Sequence, residues 1–234
     1  MTLEKSKKIG ILQTGRVSGN LKLEFGEYPE MFMNLLGDDR FTYEVYAVVD
    51  GVFPNGPEDC DGWIITGSVH GVYEAHDWIK PLEEFIRRLV ASNIPTMGIC
   101  FGHQIMAQAM GGLVEKHPSG WGIGVQEYSD LETGEKAKLL AFHQDQIIEP
   151  PKNTTTTHTS DFCQYAGLRY SNTCFSLQPH PEHTIAFSRK LLTERRGSVI
   201  PETVTDTAFD TLNNDNSHIA YADRLRNFFL QNRN

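Results

Sequence analysis

Residues 97–104, with the sequence MGICFGHQ, constrain this chain more than any other stretch, because glycines stand two residues before and two residues after Cys100. The apolar segment 96–99 leads into the stretch, and apolar residues at helical spacing follow it up to Met110. This order predicts a strand, a sharp turn and a helix, the elbow that presents a nucleophile at the carboxyl end of a sheet. The helix N-terminus at Cys100 favours the thiolate over the thiol.

The elbow also accounts for Gly98 and Gly102. A tight strand-to-helix turn brings two stretches of backbone close together, and it can require φ values that a Cβ atom resists. We therefore expect the turn to need both glycines, with Cys100 as the reactive group that it displays.

The composition limits the class of protein. A chain of 234 residues is long enough for one large α/β domain or two small ones, and 39% hydrophobic residues are enough for a packed core. The net charge of -9 argues against a nucleic-acid-binding surface. No apolar run approaches the roughly 20 residues that span a bilayer, and residues 1–8 lack the apolar segment of a secretory signal.

The four cysteines are Cys60, Cys100, Cys163 and Cys174. None of them forms a C-x-x-C pair, so the sequence indicates neither a zinc site nor a redox pair, and we expect no metal or cofactor. A reduced, cytoplasmic compartment fits this cysteine usage. The three cysteines outside the elbow are expected to be packing residues.

Strands and helices alternate through the first half of the chain. The apolar and β-branched content predicts strands at 8–12, 43–49, 62–66 and 96–99. Pro29 near a first turn and Gly37 as a stop predict a helix at 28–36, and helical periodicity predicts one at 78–91. The polar, glycine-rich segment 13–26 is expected to be a loop. Such alternation predicts a mostly parallel sheet with helices on both faces.

The pattern changes after Gly112. Segments 120–128 and 138–142 are typical of strands joined by a polar turn, and further strand-like pieces indicate an antiparallel extension of the sheet. Helical periodicity returns over 185–196, 201–212 and 217–230, with the asparagine-rich segment 213–216 between the last two. We predict a single α/β domain over 1–234, a three-layer, flavodoxin-like fold in which the helices after residue 198 cover the sheet rather than dock a partner.

A cysteine nucleophile needs a base, and that base needs a third group to orient it. Among nine histidines, His180 stands out because it follows a short apolar strand and precedes a helix, where ligands bind in parallel sheets. Glu182 lies two residues further on, and Pro181 stiffens the link. By itself, the H-P-E segment at 180–182 is typical of a solvated surface loop. Combined with the elbow, it predicts a triad of Cys100, His180 and Glu182.

The two motifs, GICFGHQ at 98–104 and QPHPE at 178–182, resemble the class I (triad) glutamine amidotransferase family. The order Cys, His, Glu matches, and the resemblance covers essentially the whole chain, above all to the glutaminase domain of GMP synthase and similar stand-alone proteins. It implies hydrolysis of the glutamine side-chain amide through a γ-glutamyl thioester, which releases ammonia. It makes Cys100 the nucleophile, His180 the general base and acid, and Glu182 the group that orients the histidine.

The resemblance also implies the donors of an oxyanion hole. One is the backbone N–H of Phe101, and the other comes from the glycine-rich turn at 66–71, where Gly67 is the matching position. Considered alone, Gly67 and Gly71 indicate an ordinary turn. Tyr73 could cover the pocket, but packing on the helix that starts at Trp78 is the preferred explanation.

By the same resemblance, recognition of the α-amino and α-carboxylate groups of glutamine falls to Gln104 and to the segment His143, Gln144 and Asp145. Gln144 stands where the family usually has glycine, and His143 and Asp145 can equally form a hydrogen-bonded structural pair. A second departure is Pro179, which replaces the usual aromatic residue before the triad histidine and should stiffen the strand end.

The motifs leave the substrate and any ammonia acceptor open. They are compatible with a glutaminase that serves a separate synthetase subunit, with a γ-glutamyl peptidase acting on a peptide such as glutathione, and with a non-catalytic binding module. The chain contains no glycine-rich phosphate loop for nucleotide activation, and it could form a homo-oligomer. A related fold takes its histidine from beside the nucleophile, but His103 is expected to point away from the sulfur.

Overall fold

The computed structural model describes residues 6–213 and 217–231. Its strands are β1 (Lys7–Leu12), β2 (Phe41–Tyr46), β3 (Gly62–Ile65), β4 (Thr96–Ile99), β5 (Leu113–Lys116), β6 (Gly122–Asp130), β7 (Lys136–His143), β8 (Asp145–Glu149), β9 (Thr155–Thr159), β10 (Gly167–Ser171) and β11 (Cys174–Leu177). Its helices are α1 (Gly19–Phe25), α2 (Tyr28–Leu36), α3 (Ile79–Ala91), α4 (Phe101–Ala109), α5 (Ile185–Arg195), α6 (Glu202–Thr211) and α7 (His218–Leu230). Two predictions, for residues 1–5 of the N-terminal segment and for 214–216 of the asparagine-rich segment, lie outside these ranges.

Nine strands form one sheet in the order β2-β1-β3-β4-β11-β10-β9-β6-β7, and β5 pairs with β8 separately. The strands from β2 to β11 run parallel, and those from β11 to β7 pair antiparallel. This arrangement confirms the predicted α/β fold, with a parallel sheet that continues into an antiparallel extension.

Helices cover both faces of the parallel strands. Every residue of β3 and β4 is buried, as expected for strands covered on both sides. On one face α3 and α4 pack around Trp63, and on the other α2 and α7 pack around Phe32 and Phe229. The sheet and the two helical layers make the three layers that the alternating pattern predicted.

The loop predicted at 13–26 is partly wrong, because it contains α1. In this seven-residue helix Leu21 is 1% exposed and packs in a cluster with Phe187 and Leu191 of α5. A helix this short depends on tertiary packing for its stability, so its local sequence carries little helical signal. The second strand is also shorter than predicted, since it ends at Tyr46 and Val48–Asp50 form a 3₁₀ turn.

The C-terminal helices cover the sheet, as predicted. Helix α6 lies against β6, where the side-chain oxygen of Thr211 accepts a 2.9 Å hydrogen bond from the N–H of Val125. Helix α7 brings Phe229, 2% exposed, edge-on to Phe41 of β2. Among the described helices, none combines the length and the apolar character that crossing a bilayer requires.

Candidate active site

Cys100 lies at the junction of β4 and α4, in a backbone conformation that side chains rarely adopt. Its φ of 53° and ψ of -104° are the mirror image of extended backbone, a region that favours glycine. Holding a non-glycine residue there costs on the order of 1–3 kcal/mol. Cys100 is 6% exposed, so the turn presents the sulfur to a confined space rather than to bulk solvent.

The two flanking glycines are required by close backbone approach. A Cβ atom on Gly98 would lie 2.5 Å from the carbonyl oxygen of Gly102, and one on Gly102 would lie 2.3 Å from the carbonyl oxygen of Ile65. Neither glycine has a positive φ. Of the two reasons expected for these glycines, close packing is confirmed, and the unusual φ belongs to Cys100 itself.

His180 reaches Cys100 because their strands are neighbours. Strand β11 pairs in parallel with β4, and the N–H of Cys100 donates a 2.8 Å hydrogen bond to the carbonyl of Leu177. Three residues later, the N–H of His180 donates a 2.8 Å bond to the carbonyl of Leu140 in β7. These two bonds fix the backbone on both sides of Pro179, and the side chains of His180 and Cys100 line the same cavity.

Glu182 holds the other side of the imidazole. Nδ1 of His180 lies 2.7 Å from Oε1 of Glu182, and both side chains are buried. Burial by itself lowers the pKa of His180, but the charges of Glu182 and Cys100 and the hydrogen bonds to both outweigh it and raise the pKa to about 10. The imidazole is therefore protonated at neutral pH, and it can donate a proton to a group bound beside Cys100.

His183 is a site residue that sequence reasoning missed. Its ring stacks on that of His180, with centroids 3.9 Å apart and planes 4° apart, and its Nε2 lies 3.6 Å from Oε1 of Glu182. Burial and the charge of His180 hold the pKa of His183 well below its usual value. A neutral ring thus covers one face of the charged one. Its position directly after H-P-E was the signal that could have identified it.

Gly67 faces both members of the cysteine–histidine pair. A Cβ atom on Gly67 would lie 3.1 Å from Cε1 of His180 and 3.8 Å from Cβ of Cys100. The hydroxyl of Thr14 donates a 3.0 Å hydrogen bond to the carbonyl of Gly67 and thereby fixes this peptide. Within the described ranges, the N–H groups of Gly67 and Phe101 donate no hydrogen bond to the chain, so both are available to a bound oxygen.

A cavity of about 480 Å³ opens beside Cys100 and His180. The four residues expected to bind substrate all line it: Gln104, His143, Gln144 and Asp145. The structure thus brings together the two strand ends, the turn at Gly67 and the segment before β8 around a single cavity.

The carbonyl oxygen of Asp145 orients two of these side chains. It accepts a 2.8 Å hydrogen bond from Nε2 of Gln104 and lies 3.2 Å from Nδ1 of His143. Burial lowers the pKa of His143 to about 3, so the ring is neutral, and its Nε2 is buried without a partner among the described residues. His143 and Asp145 do form the pair considered from the sequence, but through the backbone oxygen.

The carboxylate of Asp145 contacts Tyr73 instead. The hydroxyl of Tyr73 donates a 3.0 Å hydrogen bond to Oδ2 of Asp145, and Tyr73 lines the cavity while remaining 51% exposed. The preferred prediction, packing of Tyr73 on the helix that starts near Trp78, is therefore wrong. The hydroxyl of Tyr73 is bonded to the carboxylate of Asp145, and the side chain is half exposed.

Three cationic side chains also line the cavity: Arg16, Lys116 and Arg195. Arg16 forms an ion pair with Asp50, whereas the guanidinium of Arg195 makes no ion pair within the described part of the chain. No local motif marks these residues, because they come from three segments that only the fold brings together.

His103 and the three cysteines outside the elbow are packing groups. His103 lies between the hydroxyl of Ser176 and the carbonyl of Tyr165, at 2.7 and 2.8 Å, and burial lowers its pKa to about 3. It points away from the sulfur, as expected. The other cysteines are buried, and burial raises their thiol pKa values, to about 11 for Cys60 and about 12 for Cys163 and Cys174.

Among the residues that the structure describes, two groups of side chains could each offer a metal ion three ligand atoms that lie within 4.8 Å of one another. One consists of His180, Glu182 and His183, inside the site just described. The other consists of His70, Glu74 and His76, on the segment that follows Gly67.

The chain is similar to several known proteins. The chain is 27% identical to γ-glutamyl peptidase 3 of Arabidopsis thaliana over 78% of this chain and 80% of that protein. It is 30% identical to γ-glutamyl peptidase 4 of the same plant, over 69% and 70% of the two chains. A subunit of the glutamine-hydrolyzing GMP synthase of Methanopyrus kandleri is 28% identical over 61% of this chain and 81% of its own.

A solved structure, a glutamine amido transferase from Methylobacillus flagellatus, has the same fold. It superposes with a TM-score of 0.73 at 19% sequence identity, over 96% of this chain and 92% of that one. Residues 39–195 match the family described as glutamine amidotransferase class-I. This match spans both the elbow and the H-P-E segment, and the chain therefore belongs to the class I glutamine amidotransferase family.

Proposed function

We propose that this protein hydrolyses γ-glutamyl amide bonds through a thioester on Cys100, with the side-chain amide of glutamine as its simplest substrate. One observation carries the proposal: the side chains of His180 and Cys100 lie together beside Gly67 at the elbow, and Nδ1 of His180 lies 2.7 Å from Oε1 of Glu182. A non-catalytic binding module would not need this charged, buried arrangement, which costs desolvation.

Acylation begins with the thiolate of Cys100 attacking the δ-carbonyl carbon of the substrate. The carbonyl oxygen becomes an oxyanion, which the N–H groups of Gly67 and Phe101 stabilise. The carbon–nitrogen bond then breaks, and the protonated His180 donates its proton to the leaving nitrogen. The products of this half are a γ-glutamyl thioester, ammonia or an amine, and a neutral imidazole that Glu182 keeps in place.

Deacylation uses the same groups in reverse. Neutral His180 removes a proton from water, which attacks the thioester carbonyl, and the same two N–H groups bind the second oxyanion. The carbon–sulfur bond breaks, so that glutamate leaves and the thiolate–imidazolium pair returns. Gln104, with Gln144 and the neutral Nε2 of His143, supplies polar contacts for the α-amino and α-carboxylate groups.

A second candidate substrate is a γ-glutamyl peptide. A cavity of about 480 Å³ lies in the range that holds drug-sized ligands, more than glutamine alone requires. Arg195 and Lys116 place cationic groups on the wall of the cavity, and such a group suits a carboxylate on a peptide leaving group. Two of the similar proteins are named γ-glutamyl peptidases, which also supports this candidate.

Other parts of the functional assignment remain proposals that follow from the same chemistry. A separate ammonia-accepting synthetase subunit is supported by similarity to a protein named as one subunit of GMP synthase. Four free cysteines support a reducing, cytoplasmic compartment. We also propose that 1–234 act as a single domain, since the nine-stranded sheet and the β5–β8 pair both contribute residues to the same cavity.

A substrate panel tests the proposal. Purified protein is incubated with glutamine, glutathione, γ-glutamyl-p-nitroanilide and, as an α-linked control, isoglutamine, the α-amide of glutamate. The released glutamate and the released amine or ammonia are measured. We expect turnover of γ-linked substrates and none of the α-linked control, and Cys100→Ala should abolish all of it. Equal rates for the parent and Cys100→Ala would contradict the thioester route. Faster turnover of glutathione than of glutamine would select the second candidate.

A further inference from the structure

A second cluster of ligating side chains lies on the wall of the cavity. Oε2 of Glu74 lies 3.2 Å from Nδ1 of His70 and 2.7 Å from Nε2 of His76. The ligand atoms of all three side chains lie within 4.8 Å of one another, and none has a role in the proposed hydrolysis. We propose that His70, Glu74 and His76 bind a divalent transition metal ion, for which Zn²⁺ is the best fit.

The donor set and the spacing fit zinc. Two imidazoles and one carboxylate, with a position left open, are the ligands of open zinc sites. Zinc–ligand bonds of about 2.0–2.2 Å in a tetrahedron place ligand atoms roughly 3.3 Å apart. The two nitrogen–oxygen separations in the cluster, 3.2 and 2.7 Å, need to widen by only a fraction of an ångström.

Hydrogen bonds position the carboxylate of Glu74 to act as a ligand. Its Oε1 accepts a 3.0 Å hydrogen bond from the N–H of Gly71, which leaves Oε2 directed at the two rings. The N–H of Glu74 bonds back to the carbonyl of Gly71 at 3.1 Å, so a tight turn fixes the side chain.

The two imidazoles are held by packing. The ring of His76 stacks on Trp78, with centroids 5.8 Å apart and planes 13° apart, and Trp78 is 8% exposed against Phe101 of α4. The ring of His70 lies 4.3 Å from that of His76. The metal would therefore join a site that is largely formed, which keeps the entropic cost of binding low.

A metal ion at this position would affect the wall of the cavity. His70 and Glu74 line the cavity together with Tyr73, and Gly67 lies three residues before His70. Binding would fix the segment that follows Gly67 at the wall of the cavity. The expectation of no metal rested on cysteine spacing, which does not address a His-x₃-Glu-x-His segment.

Zinc titration by calorimetry tests the proposal, with visible absorption of bound Co²⁺ as a second readout. The tag-free chain is first stripped with a chelator. The other ligand group, His180 with Glu182 and His183, requires its own control, so the titration compares the parent with Glu74→Gln, His76→Asn, Cys100→Ala/His180→Asn and His117→Asn. His117 is a histidine outside both clusters.

We expect one zinc equivalent in the parent, in Cys100→Ala/His180→Asn and in His117→Asn, with affinity reduced at least 100-fold in Glu74→Gln and His76→Asn. Zinc should also slow hydrogen exchange over residues 67–78 in the parent but not in Glu74→Gln. Absence of binding by the parent would overturn the proposal, as would binding lost only in Cys100→Ala/His180→Asn. Because no readout is enzymatic, these outcomes are independent of the proposed hydrolysis.

Discussion

The N–H of Cys100 donates a 2.8 Å hydrogen bond to the carbonyl oxygen of Leu177. This bond joins the end of β4 to the end of β11, three residues before His180. Two motifs that are far apart in the chain therefore meet at one edge of the sheet, with their separation fixed by the spacing of paired strands.

The first prediction concerns which cysteine reacts. An electrophilic glutamine analogue should label Cys100 alone, because burial raises the thiol pKa of Cys60, Cys163 and Cys174 and keeps them protonated at pH 7. Peptide mapping by mass spectrometry measures the label, and Cys100→Ala is the control that should remain unmodified. Labelling of any other cysteine at a comparable rate would count against the assignment of the nucleophile.

The second prediction concerns backbone strain at the elbow. Because Cys100 has a φ of 53°, Cys100→Gly should be more stable than Cys100→Ala by about 1 kcal/mol, as glycine adopts this conformation without strain. Urea unfolding followed by circular dichroism measures the difference. As a matched control, Gly134 has a φ of 75° with open space around it, and Gly134→Ala should lose about 1 kcal/mol. Equal stability of the two Cys100 variants would refute the strain.

The third prediction concerns the carboxylate that orients His180. Glu182→Gln keeps a hydrogen-bond partner for Nδ1 but removes the charge that does most to raise the pKa of His180. Loss of such a carboxylate costs about 10⁴-fold in kcat in a serine protease triad, and we expect a loss of about 10³-fold or more here. The high-pH limb of kcat should also move to lower pH. Glu135→Gln, an exposed glutamate far from the triad, should leave kcat and its pH profile unchanged.

The fourth prediction concerns the turn that faces the triad. In Gly67→Ala the new Cβ would lie 3.1 Å from Cε1 of His180, so the ring or the turn must shift. Displacing one oxyanion donor costs about 10²–10³-fold in kcat, and we expect a loss near the lower value. Steady-state kinetics should show the change in kcat more than in KM. A variant with the parent kcat would contradict the predicted displacement of the donor by the new Cβ.

The fifth prediction concerns stability at acid pH. Burial lowers the pKa of His103 to about 3 in the folded protein, whereas an unfolded histidine titrates near its usual value of about 6.5. Between these values the unfolded state binds the extra proton, so His103 makes stability fall as the pH drops from about 6.5 toward 3. One such group contributes a slope of at most about 1.4 kcal/mol per pH unit.

Unfolding free energies at pH 4–7 for the parent and His103→Gln measure this slope. The variant should be less stable at pH 7, because glutamine fits the contacts to Ser176 and Tyr165 less well, but its stability should depend less steeply on pH. An equal slope in both proteins would show that the unfolded-state protonation of His103 does not contribute.

Sequence reasoning identified the elements whose signals are local. The elbow at Cys100, strand β4 and the amphipathic helix α3 were predicted within a residue of their observed bounds, because glycine spacing and periodicity mark them directly. Helix α1 was missed because its single buried side chain, Leu21, finds its partners on α5, far along the chain.

Within the site, the sequence supplied Cys100, His180 and Glu182 as candidates, since each sits in a motif with its own spacing. It did not reveal that His183 stacks on His180, that Tyr73 turns toward Asp145 or that Arg195 lines the cavity. These contacts join segments that are far apart in the sequence. Only the parallel pairing of β4 with β11, and the packing around that pair, brings these segments together. The sequence thus determined which groups can react, and the tertiary structure decided which of them meet.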